Sequence, residues 1–135
     1  MPVNPYLNFD GTCEEAFRLY EKALGGRIDM MLPFSMEPGT SSVPESWRGK
    51  IMHAAMTIGD TALMGSDGQQ GGYTKPQGFS VSFIAASVEQ AESAFKALSE
   101  GGDVRMPMAE TFFSKRFGMV TDRFGIPWMI NFPAQ

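Results

Sequence analysis

Thr121–Phe132 reads T-D-R-F-G-I-P-W-M-I-N-F. Its polar residues Asp122-Arg123-Phe124-Gly125 separate two apolar runs, Phe117–Val120 and Ile126–Phe132. Gly125 can adopt the positive φ that a tight reversal often requires. In the second run Trp128, Ile130 and Phe132 alternate with Met129 and Asn131, which is the period of a strand. The stretch predicts a β-hairpin that buries one face and lines a surface with the other.

Upstream, Ser87-Val88-Glu89-Gln90 has the form of a capping box. The stripe Val88, Ala91, Phe95, Leu98 follows at helical spacing and stops at Gly101-Gly102. A strand at Ser80–Ile84 precedes this helix, and Val104–Met108 follows it. The first half carries the same series. Tyr6–Phe9 reads as a strand, and Thr12-Cys13-Glu14-Glu15 as a second capping box. The stripe Cys13, Ala16, Phe17, Tyr20, Ala23, Leu24 ends at Gly25-Gly26. Ile28, Met30, Leu32 and Phe34 alternate up to Pro33, and Ile51–Ile58 and Thr61–Met64 flank Gly59-Asp60 as a hairpin. A shift of 75 positions lays Thr12 on Ser87, Glu15 on Gln90, Ala16 on Ala91 and Tyr20 on Phe95. The expected fold is α+β, with two tandem βαβββ modules forming a curved mixed sheet cleft. Module one is 1–64, the Gly-rich linker 65–78 and module two 79–135, within one 135-residue domain. Each helix covers one face of its sheet, and the bare faces are expected to form an apolar cleft with a polar rim. Ser35–Gly49 exceeds the usual connection length and is a candidate lid.

Composition narrows the function. With 43% hydrophobic and 19% charged residues the chain is globular. A net charge of -4 with scattered basic residues argues against nucleic acid. No apolar run approaches the roughly 20 residues of a membrane helix. The single Cys13 excludes an internal disulfide and suits a reducing compartment. Met1–Pro5 lacks the basic and apolar regions of an export signal, so a cytoplasmic location is expected.

The paired modules, the L-Y-x-x-x-L-G-G helix ending at Leu19–Gly26 and the closing hairpin resemble the vicinal oxygen chelate superfamily. Glyoxalase I, the extradiol dioxygenases and the fosfomycin- and bleomycin-resistance proteins belong to it. P-Y-L-N-F-D-G at Pro5–Gly11 and E-T-F-F-S-K-R-F-G-M-V-T-D-R-F-G at Glu110–Gly125 are similar to its PhnB-like branch. The resemblance implies the glyoxalase/bleomycin-resistance fold and a homodimer, swapped or unswapped. It also implies a divalent metal held by His and Glu side chains of the first, fifth and eighth strands. Those positions fall near Pro5, Phe79 and Met129. The windows Val3–Leu7, 80–81 with their flanks and Pro127–Asn131 hold no His, Asp, Glu or Cys. A divalent metal takes about three such ligands, so neither a metal nor another cofactor is expected. A methyltransferase label, sometimes attached to PhnB-like chains, lacks support here, because no Gly-rich turn joins a strand directly to a helix.

His53, the only histidine, lies mid-strand in register with Ile51, Ala55 and Thr57. It is a candidate acid/base poised near neutral pH, or a structural histidine satisfied by a neighbour. Glu110 is the second catalytic candidate. Asp67 is read either as a rim carboxylate of the ligand pocket or as a turn cap. Phe79, Met129 and Asn131 are expected to line the pocket together with His53 and Asp67. Cys13 belongs to a buried helical stripe. Eleven methionines suit either an adaptable apolar pocket or an ordinary core. The expected function is metal-independent binding of a small molecule in the cleft. The alternative is lyase, isomerase or dioxygenase chemistry on an oxygen-rich small substrate, through His53 with Glu110 or through a metal held unusually.

Overall fold

Strand β1 (Tyr6–Phe9) and helix α1 (Cys13–Leu24) recur 75 residues later as β5 (Val81–Ile84) and α2 (Val88–Ser99). The first half continues with β2 (Arg27–Pro33), β3 (Ile51–Ile58) and β4 (Thr61–Asp67). The second continues with β6 (Asp103–Ala109), β7 (Ser114–Thr121) and β8 (Pro127–Pro133). This computed structural model describes residues 1–36, 44–68 and 73–134. The chain divides into two units, Met1–Thr74 and Lys75–Gln135. Each is a four-stranded mixed sheet, ordered β1-β4-β3-β2 in the first and β5-β8-β7-β6 in the second. The β1–β4 and β5–β8 pairs are parallel and the others antiparallel. The tandem βαβββ reading therefore holds. Strand β4 runs through Asp67, so residues 65–67 of the expected linker are strand. Of the expected lid, residues 37–43 lie outside the described residues; short 3-10 turns flank them at Phe34–Met36 and Glu45–Trp47.

In each unit one helix covers one face of one sheet. Helix α1 buries Cys13, Ala16, Phe17, Tyr20 and Leu24 over Leu7, Phe9, Ala54, Met56 and Leu63. Helix α2 buries Ala91, Ala94 and Leu98 over Phe83, Val120, Trp128 and Ile130. Each large apolar side chain removed from water contributes about 1.5–3 kcal/mol. The glycine pairs after the helices repeat for a physical reason. Gly25 and Gly101 hold φ of 72° and 71°, a left-handed turn that releases the chain from the helix. The next glycine passes close over a strand. A Cβ on Gly26 would lie 2.9 Å from the Thr57 carbonyl, and one on Gly102 2.5 Å from that of Thr121.

The caps differ. Ser87 Oγ accepts from Gln90 N at 3.0 Å, while the Gln90 amide oxygen reaches back to Ala86 N at 2.6 Å. Thr12 makes no side-chain cap. Instead Asp67, 54 residues away, accepts from Cys13 N at 2.9 Å through Oδ1 and from Ile51 N at 2.8 Å through Oδ2. A carboxylate at the first turn of α1 satisfies an orphan donor and faces the positive end of the helix dipole.

In the second unit Asp122 shapes the β7–β8 turn. Oδ1 accepts from Phe124 N at 2.9 Å and Ile126 N at 3.0 Å, and Oδ2 accepts from Trp128 Nε1 at 2.9 Å. Gly125 closes the turn at φ 94°.

Both outer hairpins carry a β-bulge at the same place. The register slips between Ile28 and Met30 in β2 and between Val104 and Met106 in β6, leaving Asp29 and Arg105 as the extra residues. Asp29 is tied to its neighbours: Oδ1 accepts from Arg27 Nε at 2.8 Å, and Oδ2 accepts from Thr57 Oγ1 at 2.6 Å. The Thr57 hydroxyl, and after it the Arg27 guanidinium, hold the Asp29 carboxyl below the usual carboxylate range.

Asp122→Asn keeps an oxygen for the turn amides but turns its NH2 against the Trp128 indole N–H. It should cost about 1–3 kcal/mol in urea unfolding. Repeated in a Trp128→Phe background, the same change should cost less; equal costs would contradict the pairing. For Asp29, any stability lent by its hydrogen bonds is present above the ordinary aspartate range and lost as pH falls through the lowered value. Carboxyl NMR titration should show the Asp29 midpoint rising in Thr57→Val, and rising less in Arg27→Gln.

Candidate functional site

The face of each sheet away from its helix carries a row of methionines. In the first unit the register aligns Tyr6, Met64, Ala55 and Met30. In the second it aligns Ser82, Met129, Met119 and Met106. Met30 and Met106 are exposed, while Met64, Met119 and Met129 are half-buried. Unbranched thioethers form an apolar surface that can adapt to different shapes.

His53 lies beside Leu32 on this face of the first sheet. Its Nδ1 is 3.1 Å from the Tyr6 hydroxyl, and the two rings stack at 5.7 Å. With His53 neutral and Tyr6 donating, the imidazole proton sits on Nε2. Asp67 is elsewhere: at 2% exposure it is buried among α1, β3 and β4, with both oxygens occupied by backbone amides. Neither a rim nor a linker turn describes that position. Burial pushes the Cys13 thiol far up, with the Asp67 and Glu14 carboxylates adding to the shift. It is an inert core thiol.

In the second unit a cavity of about 350 Å3 opens between residues 75–80 and one end of β6, β7 and β8. This is within the range of about 300–1,000 Å3 for small-molecule pockets. Phe79, Met119, Pro127 and Trp128 give it apolar walls. Lys75, Asp103 and Arg105 bring charge, and Ser80 and Thr121 bring hydrogen-bonding groups. Phe79 thus lines a cavity. Met129 adjoins Met119 on the open face but is not among the lining residues. Asn131 is held by a hydrogen bond between its amide oxygen and the buried Ser114 hydroxyl. Glu110 stands exposed in the β6–β7 connection, outside the cavity lining.

Sequence reasoning missed Lys75, Asp103 and Arg105. A signal was present: Arg27-Ile28-Asp29 recurs as Asp103-Val104-Arg105, 76 positions on, with its charges exchanged. Each charge pair adjoins a threonine in the neighbouring strand, Arg27 pairing with Thr57 and Asp103 with Thr121.

The metal that the resemblance implies can be tested against these side chains. On their open faces the three ligand-bearing strands present Tyr6 and Asn8, Ser82 and Ile84, and Met129 and Asn131. Phenol, amide, hydroxyl and thioether groups do not make the imidazole and carboxylate set of a divalent cation site. Among the described residues no group of three or more His, Cys, Asp or Glu side chains is placed to hold a metal ion. Nor, among them, is any helix long and apolar enough to cross a membrane.

Comparison with known proteins agrees with this architecture. Protein YjdN of Escherichia coli K12 is 33% identical over 143 residues, spanning 100% of this chain and 97% of its own. The crystal structure of protein PA1353 from Pseudomonas aeruginosa matches with a TM-score of 0.88 at 45% identity, over 97% of this chain and 96% of that one. A PhnB protein from Bacillus cereus shares the fold, with a TM-score of 0.81 at 22% identity over 98% and 99% of the two chains. The family model of the Glyoxalase/Bleomycin resistance protein/Dioxygenase superfamily matches residues 3–130. Two tandem βαβββ units and this match together show that the chain belongs to that superfamily.

Proposed function

We propose that this chain binds a small molecule without a metal, as a glyoxalase-fold binding protein. The cavity of the second unit carries the reading, because it joins apolar walls to a few convergent polar groups. The methionine row of the second sheet, through Met119, adds adaptable surface beside it.

A second reading rests on the Tyr6–His53 pair. A neutral imidazole backed by a phenol can exchange a proton with a substrate oxygen, which suits lyase, isomerase or dioxygenase chemistry on a small oxygen-rich compound. Glu110, exposed in the second unit, has no established part in it. We further propose a homodimer and a cytoplasmic location. Exposed apolar side chains, among them Ile84, Val104, Met106 and Phe112, support the self-association part of this reading.

Chelator-treated protein screened by heteronuclear NMR against a broad metabolite panel should yield at least one ligand that shifts Phe79, Ser80 and Thr121. Affinity should be unchanged by added metal. A panel without binders, or binding that requires a metal, would contradict the proposal. Loss of a discovered activity in His53→Ala would favour the enzymatic reading. Sedimentation at micromolar concentration should show a dimer, and a monomer would refute that part.

A further inference from the structure

The charge exchange at the two bulges has a chemical consequence. In the first unit the bulged residue is the acid Asp29, tied at 2.8 Å and 2.6 Å to Arg27 and Thr57. In the second it is the base Arg105, and its only described partner is Asp103 Oδ2, 3.5 Å from Nη1. That distance is at the edge of a hydrogen bond and leaves most of the guanidinium fork available. A bulge re-aims the side chain it carries, and here that side chain lines the cavity. Lys75 lines it too, and none of the described ion pairs involves Lys75. The site thus holds two cations and one carboxylate in a chain of net charge -4. The half-exposed Phe79 ring and Pro127 give the same cavity flat apolar walls.

We infer that the cavity takes a small organic anion, with Arg105 and Lys75 holding a carboxylate, sulfonate or phosphate-type head and Phe79 and Pro127 packing against a flat apolar body. The inference rests on the small-molecule reading above and narrows it to a chemical class. Guanidinium groups pair with such heads through two parallel hydrogen bonds, and an aromatic wall adds contact area at small entropic cost. Asp103 competes with the ligand for Arg105. It therefore sets the affinity from inside the site.

The test is fluorescence titration with anilinonaphthalene sulfonate and with the uncharged phenylnaphthylamine. The proteins are the wild type, Arg105→Gln, Asp103→Asn and Phe79→Ala. Arg105→Gln should weaken sulfonate binding about tenfold, the scale of one charge-assisted pair. Asp103→Asn should tighten it severalfold, and the neutral probe, which would gain equally from a loosened fold, checks that the fold is intact. The neutral probe should respond to neither change, and Phe79→Ala should weaken both probes. If the two probes respond alike to Arg105→Gln and Asp103→Asn, anion recognition is wrong while the cavity remains a binding site. If neither probe binds, or Phe79→Ala alters neither, the binding reading falls and this inference with it.

Discussion

A four-stranded sheet has two faces, and among the described residues each half of this protein has one twelve-residue helix to cover one of them. Everything on the other face follows from that shortage. A face left to water is ordinarily charged, as the alternation of half-buried antiparallel strands shows elsewhere. Here it carries Tyr6, Met64, Ala55 and Met30 in one sheet and Ser82, Met129, Met119 and Met106 in the other. Such a surface is too apolar for solvent to be its best partner and too flexible to fit one rigid shape. It is suited to contact by something else.

The duplicated halves separate what the fold requires from what a site requires. The helix stops, with a left-handed glycine and then a glycine pressed on a strand carbonyl, are kept in both copies. So is the bulge after them. What differs is the charge on the bulged residue. Asp29 spends its carboxylate on its own neighbours, while Arg105 makes one long contact among the described residues and borders a cavity. The buried carboxylates tell a similar story. Asp67 and Asp122 are each saturated by donors from their own unit, which is how a buried charge is tolerated. Residues of that kind maintain architecture rather than meet ligands.

Much of this architecture was legible because it is local. Cap, stripe and glycine stop recur at one spacing, and the strands before the helices obey the same shift. The Asp122 turn was legible too, since its bonds reach only six residues along the chain. Long-range bonds were not. Thr12 looked like the cap of α1, but Asp67 takes that role from the far end of β4, a relation no periodicity records. For the same reason Asp67 read as a surface group. Phe79 came only from the resemblance, as a position where the superfamily carries a metal ligand; it lines the cavity of the second unit. Arg105 was overlooked because the alternation of β6 gave no hint of the bulge that re-aims it.

The most direct test is a crystal structure of the chelator-treated protein with a small aromatic carboxylate such as benzoate. The expected result is the carboxylate within hydrogen-bond reach of Arg105 and the ring against Phe79, with no metal between protein and ligand. A ligand seated over Tyr6 and His53 with the second unit's cavity left to solvent, or one reached only through a bound cation, would contradict it.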